Sequence, residues 1–220
     1  MGNIIVKIND TEIKHVESTK FLGISIDSNL TWKAHINHIV TKVAKTTGIL
    51  YKARHFLPSQ TLRTPYYSLI YPYLNYGNVV WGNTCPSRLE SIRKLQKNII
   101  RIISFSDFRD HTSPLFKNLS ILPIDDLNNE ATALFAFKCF SKALPATFNH
   151  FFKSNDYFHS HNTRSSSKIH KDQAGTNYKK FSVKFKGGEV WNNLPISIKN
   201  SKSLEIFKKK IKKYYLDLLD

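Results

Sequence analysis

The spacing of apolar residues changes near residue 28, where a short strand is followed by a long helix. Residues 20–27 are largely apolar and end in an Asp-Ser-Asn cluster, which predicts a strand and a turn. Beyond the turn, apolar residues recur every three or four positions, which predicts an amphipathic helix. These apolar residues are Trp32, Ile36, Ile39, Val43 and Leu50. The rest of the chain can be placed relative to this junction.

The opposite side of this predicted helix carries a basic series. Its members are His35, His38, Lys42, Lys45 and Lys52. Lysines on an outer helix face are ordinarily just solvated, but such faces usually mix acids and bases. Here no Asp or Glu occurs between Ser28 and Arg88. The missing acids favour a surface that contacts phosphates.

The N-terminal residues predict a small antiparallel sheet. Residues 3–8 and 11–16 form two strand patterns joined at Asn9 and Asp10, and the strand at 20–27 is expected to pair with them. Three short strands bury little area alone, so one face needs a helix or another domain against it.

Further helices follow, and prolines interrupt the first of them. Residues 60–74 are rich in tyrosine and are expected to bend or break at Pro65 and Pro72, since proline costs about 3 kcal/mol inside a helix. Pro86 opens a second amphipathic helix. Its polar side carries Arg93, Lys94, Lys97 and Arg101.

Asp125 and Asp126 precede a strongly apolar helix that is predicted over residues 127–144. Adjacent aspartates also form the metal-binding pair of polymerases, so a catalytic role for this pair has to be considered. A two-metal site needs another carboxylate nearby, and no second acidic motif lies on a predicted strand. Aspartates after Pro123 are typical of the start of a helix. There, carboxylates accept hydrogen bonds from free backbone N–H groups and are stabilised by the positive end of the helix dipole. The pair is interpreted as a helix N-terminus, and no catalytic residue is assigned.

The C-terminal stretch is basic and less regular. Residues 153–180 are rich in Ser, Asn, His and Lys, which predicts a poorly buried segment. Residues 181–185 alternate like a strand, the glycine pair at 187–188 is expected to end it, and residues 189–195 predict a short helix. The last helix has the apolar series Leu204, Phe207, Ile211, Tyr215 and Leu218 among lysines. Binding of such a helix to a membrane surface is an alternative.

The charge balance indicates a polyanionic partner. The 220 residues contain 33 Lys and Arg against 16 Asp and Glu, a net charge of +17. The excess lies in residues 1–110 and 151–220, which flank a neutral, apolar stretch. Such a charge is self-repulsive unless nucleic acid or an anionic membrane compensates it.

The cysteines, the histidines and the N-terminal residues bear on three other features: disulfide bonds, metal sites and membrane or secretory segments. Cys85 and Cys139 match no disulfide or metal pattern and suit a reducing compartment. The HxxH of His35 and His38 lacks further ligands, so no metal site is predicted. Without a signal peptide or membrane-spanning run, an intracellular, soluble protein of the cytoplasm or nucleus is expected.

Five motifs follow one another along the chain. They are FLGISIDSNLTWKAHI at 21–36, YPYLNYGNVVW at 71–81, LQKNIIR at 95–101, HNTR at 161–164, and GEVWNNLP at 188–195 with a later Phe-Lys at 207–208. In this order they resemble the region that follows the palm of non-LTR (LINE-type, jockey-like) retrotransposon reverse transcriptases. Each motif is weak alone, and their order over nearly the whole chain makes the resemblance specific.

The resemblance implies a C-terminal fragment of an RNA-directed DNA polymerase. The family's palm carries an aromatic-x-Asp-Asp motif before this region, and that motif does not occur here. The chain is therefore expected not to be an enzyme by itself and to have no cofactor, although the intact polymerase would use a divalent metal such as Mg²⁺. Its partner would be the upstream palm of a longer polypeptide.

The sequence thus predicts a mainly α fold with a small N-terminal antiparallel sheet, a helical thumb-like bundle and a loosely packed basic C-terminal segment. The expected divisions are a palm-like β element at 1–29, thumb-like basic helices at 30–105, a neutral helical segment at 106–152 and a basic tail at 153–220.

The predicted role is to bind the backbone of template–primer RNA or RNA–DNA hybrid, without base readout. The predicted contact residues are Lys42, Lys45, Lys52, Arg93, Lys94, Lys97 and Arg101. Tyrosines between Tyr66 and Tyr76 either stack on nucleotides or pack internally. Two alternatives stay open: a free-standing basic nucleic-acid-binding helical protein, and a non-functional mobile-element relic.

Overall fold

The computed structural model describes residues 6–157, 168–171 and 173–219, and the chain is mainly helical there, as predicted. The strands are β1 (Val6–Ile8), β2 (Thr11–Ile13), β3 (Ser18–Phe21) and β4 (Ile24–Asp27). The helices are α1 (Lys33–Ala53), α2 (Ser59–Pro65), α3 (Tyr71–Asn75), α4 (Asn78–Trp81), α5 (Pro86–Ser104), α6 (Thr112–Leu119), α7 (Ile124–Phe140), α8 (Asn177–Lys180), α9 (Val183–Asn193), α10 (Ile196–Lys199) and α11 (Leu204–Asp217). The HNTR motif at 161–164 lies outside the described residues.

The strands form two separate hairpins. β1 pairs with β2 through Asn9 and Asp10, as predicted, and both turn residues have positive φ. The single strand predicted over 20–27 is wrong, because the chain reverses at Leu22 and Gly23 and pairs β3 with β4. Positive φ at both central residues suits a two-residue hairpin turn, and glycine adopts it without steric cost. β4 packs on α1, whereas β1 and β2 are exposed.

Asp27 organises the entry into α1. Its carboxylate accepts hydrogen bonds from the backbone N–H groups of Thr31, at 2.8 Å, and Trp32, at 2.7 Å. Partial burial raises the pKa of Asp27, but these hydrogen bonds outweigh burial and hold the pKa below its ordinary value. The bonds fix the loop that precedes the helix, where Trp32 has a φ of 62°.

α1 and α5 run parallel to each other. Just before the two helices begin, the Thr84 hydroxyl lies 3.5 Å from the carbonyl oxygen of Thr31. Just after they end, the Arg54 guanidinium lies 5.1 Å from the centre of the Phe105 ring. Because the N-terminal ends of α1 and α5 are neighbours and their C-terminal ends are also neighbours, the two helices run in the same direction. The apolar spacing predicted for both helices is confirmed by the buried residues Ile36, Ile39, Val43, Leu50, Leu89, Ile92, Ile99, Ile102 and Ile103.

The segment that connects α1 to α5 has helix breaks at the two prolines where breaks were predicted. α2 ends at Pro65, a π-helical segment follows over Tyr66–Ile70, and Pro72 lies in the first turn of α3. Proline lacks the N–H that would continue the helical bonding, so each break follows from the sequence.

Gln96 of α5 anchors the start of α7. Its side-chain oxygen accepts a hydrogen bond from the Ile124 N–H at 2.8 Å, and its side-chain nitrogen donates to the Leu122 carbonyl at 3.0 Å and to the Tyr66 hydroxyl at 3.2 Å. Gln96 is buried, so these bonds satisfy both halves of its amide. One side chain thereby joins three segments of the core.

α9 runs through the glycine pair at 187–188, so the predicted strand and glycine break are wrong. A methyl group at Gly187 would come within 2.6 Å of the Phe152 ring, and one at Gly188 within 3.2 Å of Ile169. The glycines therefore allow close packing of the helix against these two side chains. Tertiary contacts override the low helix propensity of glycine here.

Part of the basic C-terminal stretch is held more firmly than the sequence predicts. Asn192 of α9 accepts from the Ile169 N–H and donates to the Ile169 carbonyl, both at 2.9 Å. Ile169 also forms a β-bridge with Ser154 and is buried. This segment is therefore fixed to α9 around residue 169.

α11 closes the core against α7. Phe207 stacks on Phe137 with ring centres 4.4 Å apart, and Ile211 and Tyr215 are buried with it. The prediction that Leu218 belongs to this apolar face is wrong, because the helix ends at Asp217 and Leu218 is exposed.

Candidate nucleic-acid interface

Four lysines on the parallel pair α1 and α5 are exposed to solvent. They are Lys42, Lys45, Lys52 and Lys97. Their side chains form no ion pair or hydrogen bond with any residue in the described ranges. Because the two helices start and end together, Lys45 and Lys97 lie at similar heights along them. We call these four residues the free-lysine surface.

A groove of about 520 Å³ runs between the C-terminal halves of α1 and α5. Its α1 side includes Gly48 and Tyr51, and its α5 side includes Asn98 and Arg101. A Cβ atom at Gly48 would meet nothing within 4 Å, so this wall is open. Lys45 and Lys52 are three or four residues from Gly48 and therefore neighbour the groove on the helix surface.

Sequence reasoning missed the groove residues Tyr51, Arg54, Asn98 and Phe108. Arg54 lies 6.0 Å from the centre of the Tyr51 ring, in addition to its contact with Phe105. The spacing of three or four residues between Gly48, Tyr51 and Arg54 was the available signal. That spacing identifies one helix side, but only the packing of α5 makes the side a groove.

Arg93 has an internal partner. Its Nε and Nη2 donate to the two carboxylate oxygens of Asp125 at 2.7 and 2.8 Å, and its Nη1 donates to the Pro86 carbonyl at 2.7 Å. Glu90 lies 3.3 Å from the same guanidinium. The Asp125 hydrogen bonds raise the pKa of Arg93 further above its usual range, against the effect of burial. Arg93 joins α5 to α7, so its assignment to a phosphate surface is not favoured.

The other two residues of α5 that were predicted to contact phosphate, Lys94 and Arg101, are partly engaged. Arg101 donates to the Asp110 carbonyl through Nη2 at 2.9 Å and lies 5.6 Å from the centre of the Phe108 ring. Lys94 forms an exposed ion pair with Glu90 at 3.9 Å. Exposed pairs of this kind contribute about 0–1 kcal/mol, so Lys94 can exchange Glu90 for a phosphate at small cost.

His35 does not belong to the basic series, so that part of the sequence prediction is wrong. The ring is buried, its Nδ1 accepts from the Ser25 N–H at 3.4 Å, and its edge faces Trp81 with ring centres 5.6 Å apart. Burial lowers the pKa of His35, and the charge of His38 lowers it further. The helix turns His35 toward β4 and α4, while His38 is exposed.

The tyrosines of residues 66–76 mainly pack. Tyr66 is fully buried, and burial raises the pKa of its hydroxyl. The Tyr76 hydroxyl donates to the Leu22 carbonyl at 2.7 Å and fixes the β3–β4 turn. Tyr73 and Tyr76 are also exposed, so base stacking stays a prediction for these two rings.

Asp125 and Asp126 lie in the first turn of α7, where the sequence places them. Neither caps the helix through its side chain, since the residue before the first turn is Pro123. Burial, followed by the charge of Asp125, raises the pKa of Asp126 to about 6. Across the described part of the chain, no three His, Cys, Asp or Glu residues lie close enough to hold a metal ion.

The motif residues mostly hold the fold together. Gln96 supports α7, Asn192 holds Ile169, and Trp81 donates from its indole N–H to the Tyr76 carbonyl at 2.8 Å. The motifs therefore specify how the helices join. The free-lysine surface lies outside these joints.

Comparison with known proteins confirms the resemblance. The chain is 32% identical over 125 residues to an RNA-directed DNA polymerase from the mobile element jockey of Drosophila melanogaster. It is 26% identical over 132 residues to a probable RNA-directed DNA polymerase from the X-element transposon of the same species. A jockey polymerase of Drosophila funebris is 29% identical over 125 residues. The chain is similar to part of a retrotransposon reverse transcriptase.

The similarity to jockey-type polymerases covers 55 to 58% of this chain. The matched region spans about 14% of the length of each relative. No protein-family model matches the chain. No solved structure matches it either. Within the described ranges, no helix is both long and apolar enough to cross a membrane.

Proposed function

We propose that this chain is the part of a non-LTR retrotransposon reverse transcriptase that follows the palm, and that α1 and α5 bind the sugar–phosphate backbone of a template–primer RNA or RNA–DNA hybrid. The free-lysine surface carries this proposal. Lysines without an acidic partner leave uncompensated charge on an exposed face, and a polyanion compensates that charge by releasing its counterions.

The contact would be independent of base sequence. Lysine ammonium groups are flexible point charges, which suit phosphate oxygens and read no base edge. The groove between α1 and α5 adds Tyr51 and Arg101 beside these charges. A backbone contact of this kind suits a polymerase domain that must hold every sequence it copies.

The structure makes a membrane-binding role for the last helix less favourable. Phe207, Ile211 and Tyr215 of α11 are buried against the core, so its apolar face is occupied. Insertion into a bilayer would require α11 to leave α7 and expose the core. Lys208, Lys209 and Lys213 of α11 are exposed and provide a matched control.

The testing experiment measures the salt dependence of duplex binding by fluorescence anisotropy. We expect Lys42, Lys45, Lys52 and Lys97, changed together to Gln, to reduce the slope of log K against log salt by about 3.6, since each phosphate contact contributes about 0.9 on B-DNA. The control changes Lys202, Lys208, Lys209 and Lys213 to Gln, removing the same charge from the C-terminal stretch. Equal slopes for the two variants would reject the α1–α5 surface.

We propose in addition that the chain has no polymerase activity by itself. Asp125 forms an ion pair with Arg93, and Asp126 lies in the same helical turn, so neither is arranged with a third carboxylate in the described residues. Purified protein should extend no primer on RNA or DNA template with Mg²⁺ or Mn²⁺. Incorporation that Asp125→Ala and Asp126→Ala abolish would overturn this proposal.

A further inference from the structure

A second cleft, of about 640 Å³, lies where α1 and α5 begin and where the α8–α9 segment passes them. It is separate from the groove along the C-terminal halves of the same two helices, since the two share no lining residue. Its volume is within the range of small-molecule sites, about 300–1,000 Å³. None of the proposed phosphate-contacting residues lines it.

One of the residues that line this cleft carries an unused hydrogen-bond acceptor. Asn83 is 5% exposed and its side-chain nitrogen donates to the Val79 carbonyl at 3.0 Å, which fixes the orientation of its amide. Its side-chain oxygen has no hydrogen-bond partner among the described residues. The oxygen has less than 1 Å² of accessible surface, so a ligand donor reaches it only when the cleft widens, and that donor then removes the cost of an unpaired buried acceptor.

The cleft walls suit a flat, largely apolar ring. Trp32 lines one side, and Tyr178 and Phe181 reach the cleft from the C-terminal segment. Aromatic faces of this kind stack with nucleobases, which contributes about 1–3 kcal/mol per base. None of the described lining residues is acidic, so a cationic ligand finds no counter-charge.

The lining of the cleft also carries positive charge. Arg88 lines the cleft and makes no ion pair with a described residue. Hydrogen bonds with Ser87 lower the pKa of the neighbouring Cys85 thiol, and the charges of Arg88 and Lys180 lower it further. A positive charge and an unpaired acceptor in the same lining select a ligand with an anionic group and a neutral N–H donor.

We propose that this cleft binds one nucleotide, whose base donates an exocyclic amine to the Asn83 side-chain oxygen, stacks among the aromatic side chains and places its phosphate at Arg88. The proposal extends nucleic-acid binding to a second site and does not depend on the free-lysine surface. The nucleotide is either free or part of a strand that continues along α1 and α5.

Cys85 provides a direct readout, because it lines the cleft. The protein is alkylated with iodoacetamide, and intact-protein mass spectrometry measures the rate at which Cys85 reacts. The fast phase of alkylation belongs to Cys85 if it disappears in Cys85→Ser. Cys139 is buried and burial raises the pKa of its thiol, so it reacts slowly while the protein is folded. A slow Cys139 phase in each variant therefore shows that the fold is intact.

The decisive comparison uses ligand pairs that differ in one exocyclic group, CMP against UMP and AMP against IMP. CMP and AMP should protect Cys85 at about tenfold lower concentration than UMP and IMP, which present a carbonyl to the Asn83 oxygen. Asn83→Leu should remove this difference. Tyr178→Ala and Arg88→Gln, at less buried positions, should weaken protection by all four nucleotides.

Short C and U single strands form the second arm of the experiment. Protection by the C strand alone, without protection by CMP, assigns the site to a nucleotide within a strand. CMP protection should persist when the four free lysines are changed to Gln, which separates this proposal from the backbone contact. No protection by any nucleotide or strand, or equal protection within each ligand pair, would overturn the proposal.

Discussion

The side-chain amide of Asn128 donates to the side-chain oxygen of Asn78 at 2.9 Å, inside the core where α7 meets α4. The same nitrogen lies 3.1 Å from the Asn78 carbonyl oxygen, and the Asn78 amide donates in turn to the Leu74 carbonyl at 2.7 Å. A methyl group at Gly82 would overlap both asparagine side chains. This buried polar joint fixes the position of α7 relative to the helices before it.

Removing one partner of this joint should destabilise the protein. Asn128→Leu leaves the Asn78 oxygen buried without its donor, and we expect the free energy of unfolding to fall by about 1–3 kcal/mol in urea titrations. Asn37→Leu on the exposed side of α1 is the control and should change it by less than about 0.5 kcal/mol. Similar losses in both variants would contradict a specific role for the joint.

Two helical glycines should respond in opposite ways to alanine. Gly187→Ala places a methyl group against the buried Phe152 ring and should destabilise by about 1–3 kcal/mol. Gly48→Ala meets nothing within 4 Å in α1 and should stabilise by about 0.5–1 kcal/mol through helix propensity. Thermal unfolding of the two variants measures both changes. Stabilisation by Gly187→Ala would show that α9 does not pack closely on Phe152.

The regular helices were predictable because their apolar spacing is local information. Ile36, Ile39 and Val43 mark the buried side of α1, and no distant residue is needed to find them. The glycine pair in α9 shows the limit of such reasoning. Local propensity predicts a break there, but the partners that favour the helix, Phe152 and Ile169, lie elsewhere in the chain.

The candidate surface was only partly predictable for the same reason. Lys42, Lys45 and Lys52 are exposed, as helical spacing predicts. Arg93 has the same spacing signal as Lys97, yet its partner Asp125 is 32 residues away and invisible to a local pattern. His35 was assigned to the exposed side because a histidine at the edge of a helix face can point to solvent or to the core. Its contact with Trp81 places it in the core.

Arg93 and Lys94 should separate stability from binding. Arg93→Gln removes a bidentate pair of partly exposed groups and should destabilise the protein by about 1 kcal/mol, while Lys94→Gln should have almost no effect. Duplex affinity of folded Arg93→Gln should fall no more than that of Lys94→Gln. A much larger loss for Arg93→Gln, at equal folded fraction, would return Arg93 to the phosphate surface.

Two partly buried acids should make the protein less stable as pH rises. Burial raises the pKa of Asp126 and of Glu130 to about 6, while the unfolded values are near 3.8 and 4.5. Lys212 and Lys208 oppose the effect at Glu130. The folded state therefore binds more protons than the unfolded state between these values, so the free energy of unfolding falls as pH rises from about 4 to about 7.

Asp126→Asn should remove the part of this pH dependence that belongs to Asp126. We expect a gain of about 1 kcal/mol at pH 7.5, after allowance for solvent screening, and little change at pH 4. Asp217→Asn, at the exposed end of α11, is the control and should leave the pH profile unchanged. Stability that rises with pH for the unmodified protein, and an unchanged profile for Asp126→Asn, would contradict a buried, ionised Asp126.

Lysine modification with and without duplex locates the nucleic-acid surface without any substitution. Folded protein is treated briefly with an acetylating reagent in the presence and absence of an RNA–DNA hybrid, and each lysine is quantified by mass spectrometry. The hybrid should protect Lys42, Lys45, Lys52 and Lys97 and leave Lys208, Lys209 and Lys213 reactive. Protection of the α11 lysines with full reactivity of the other four would contradict backbone binding by α1 and α5.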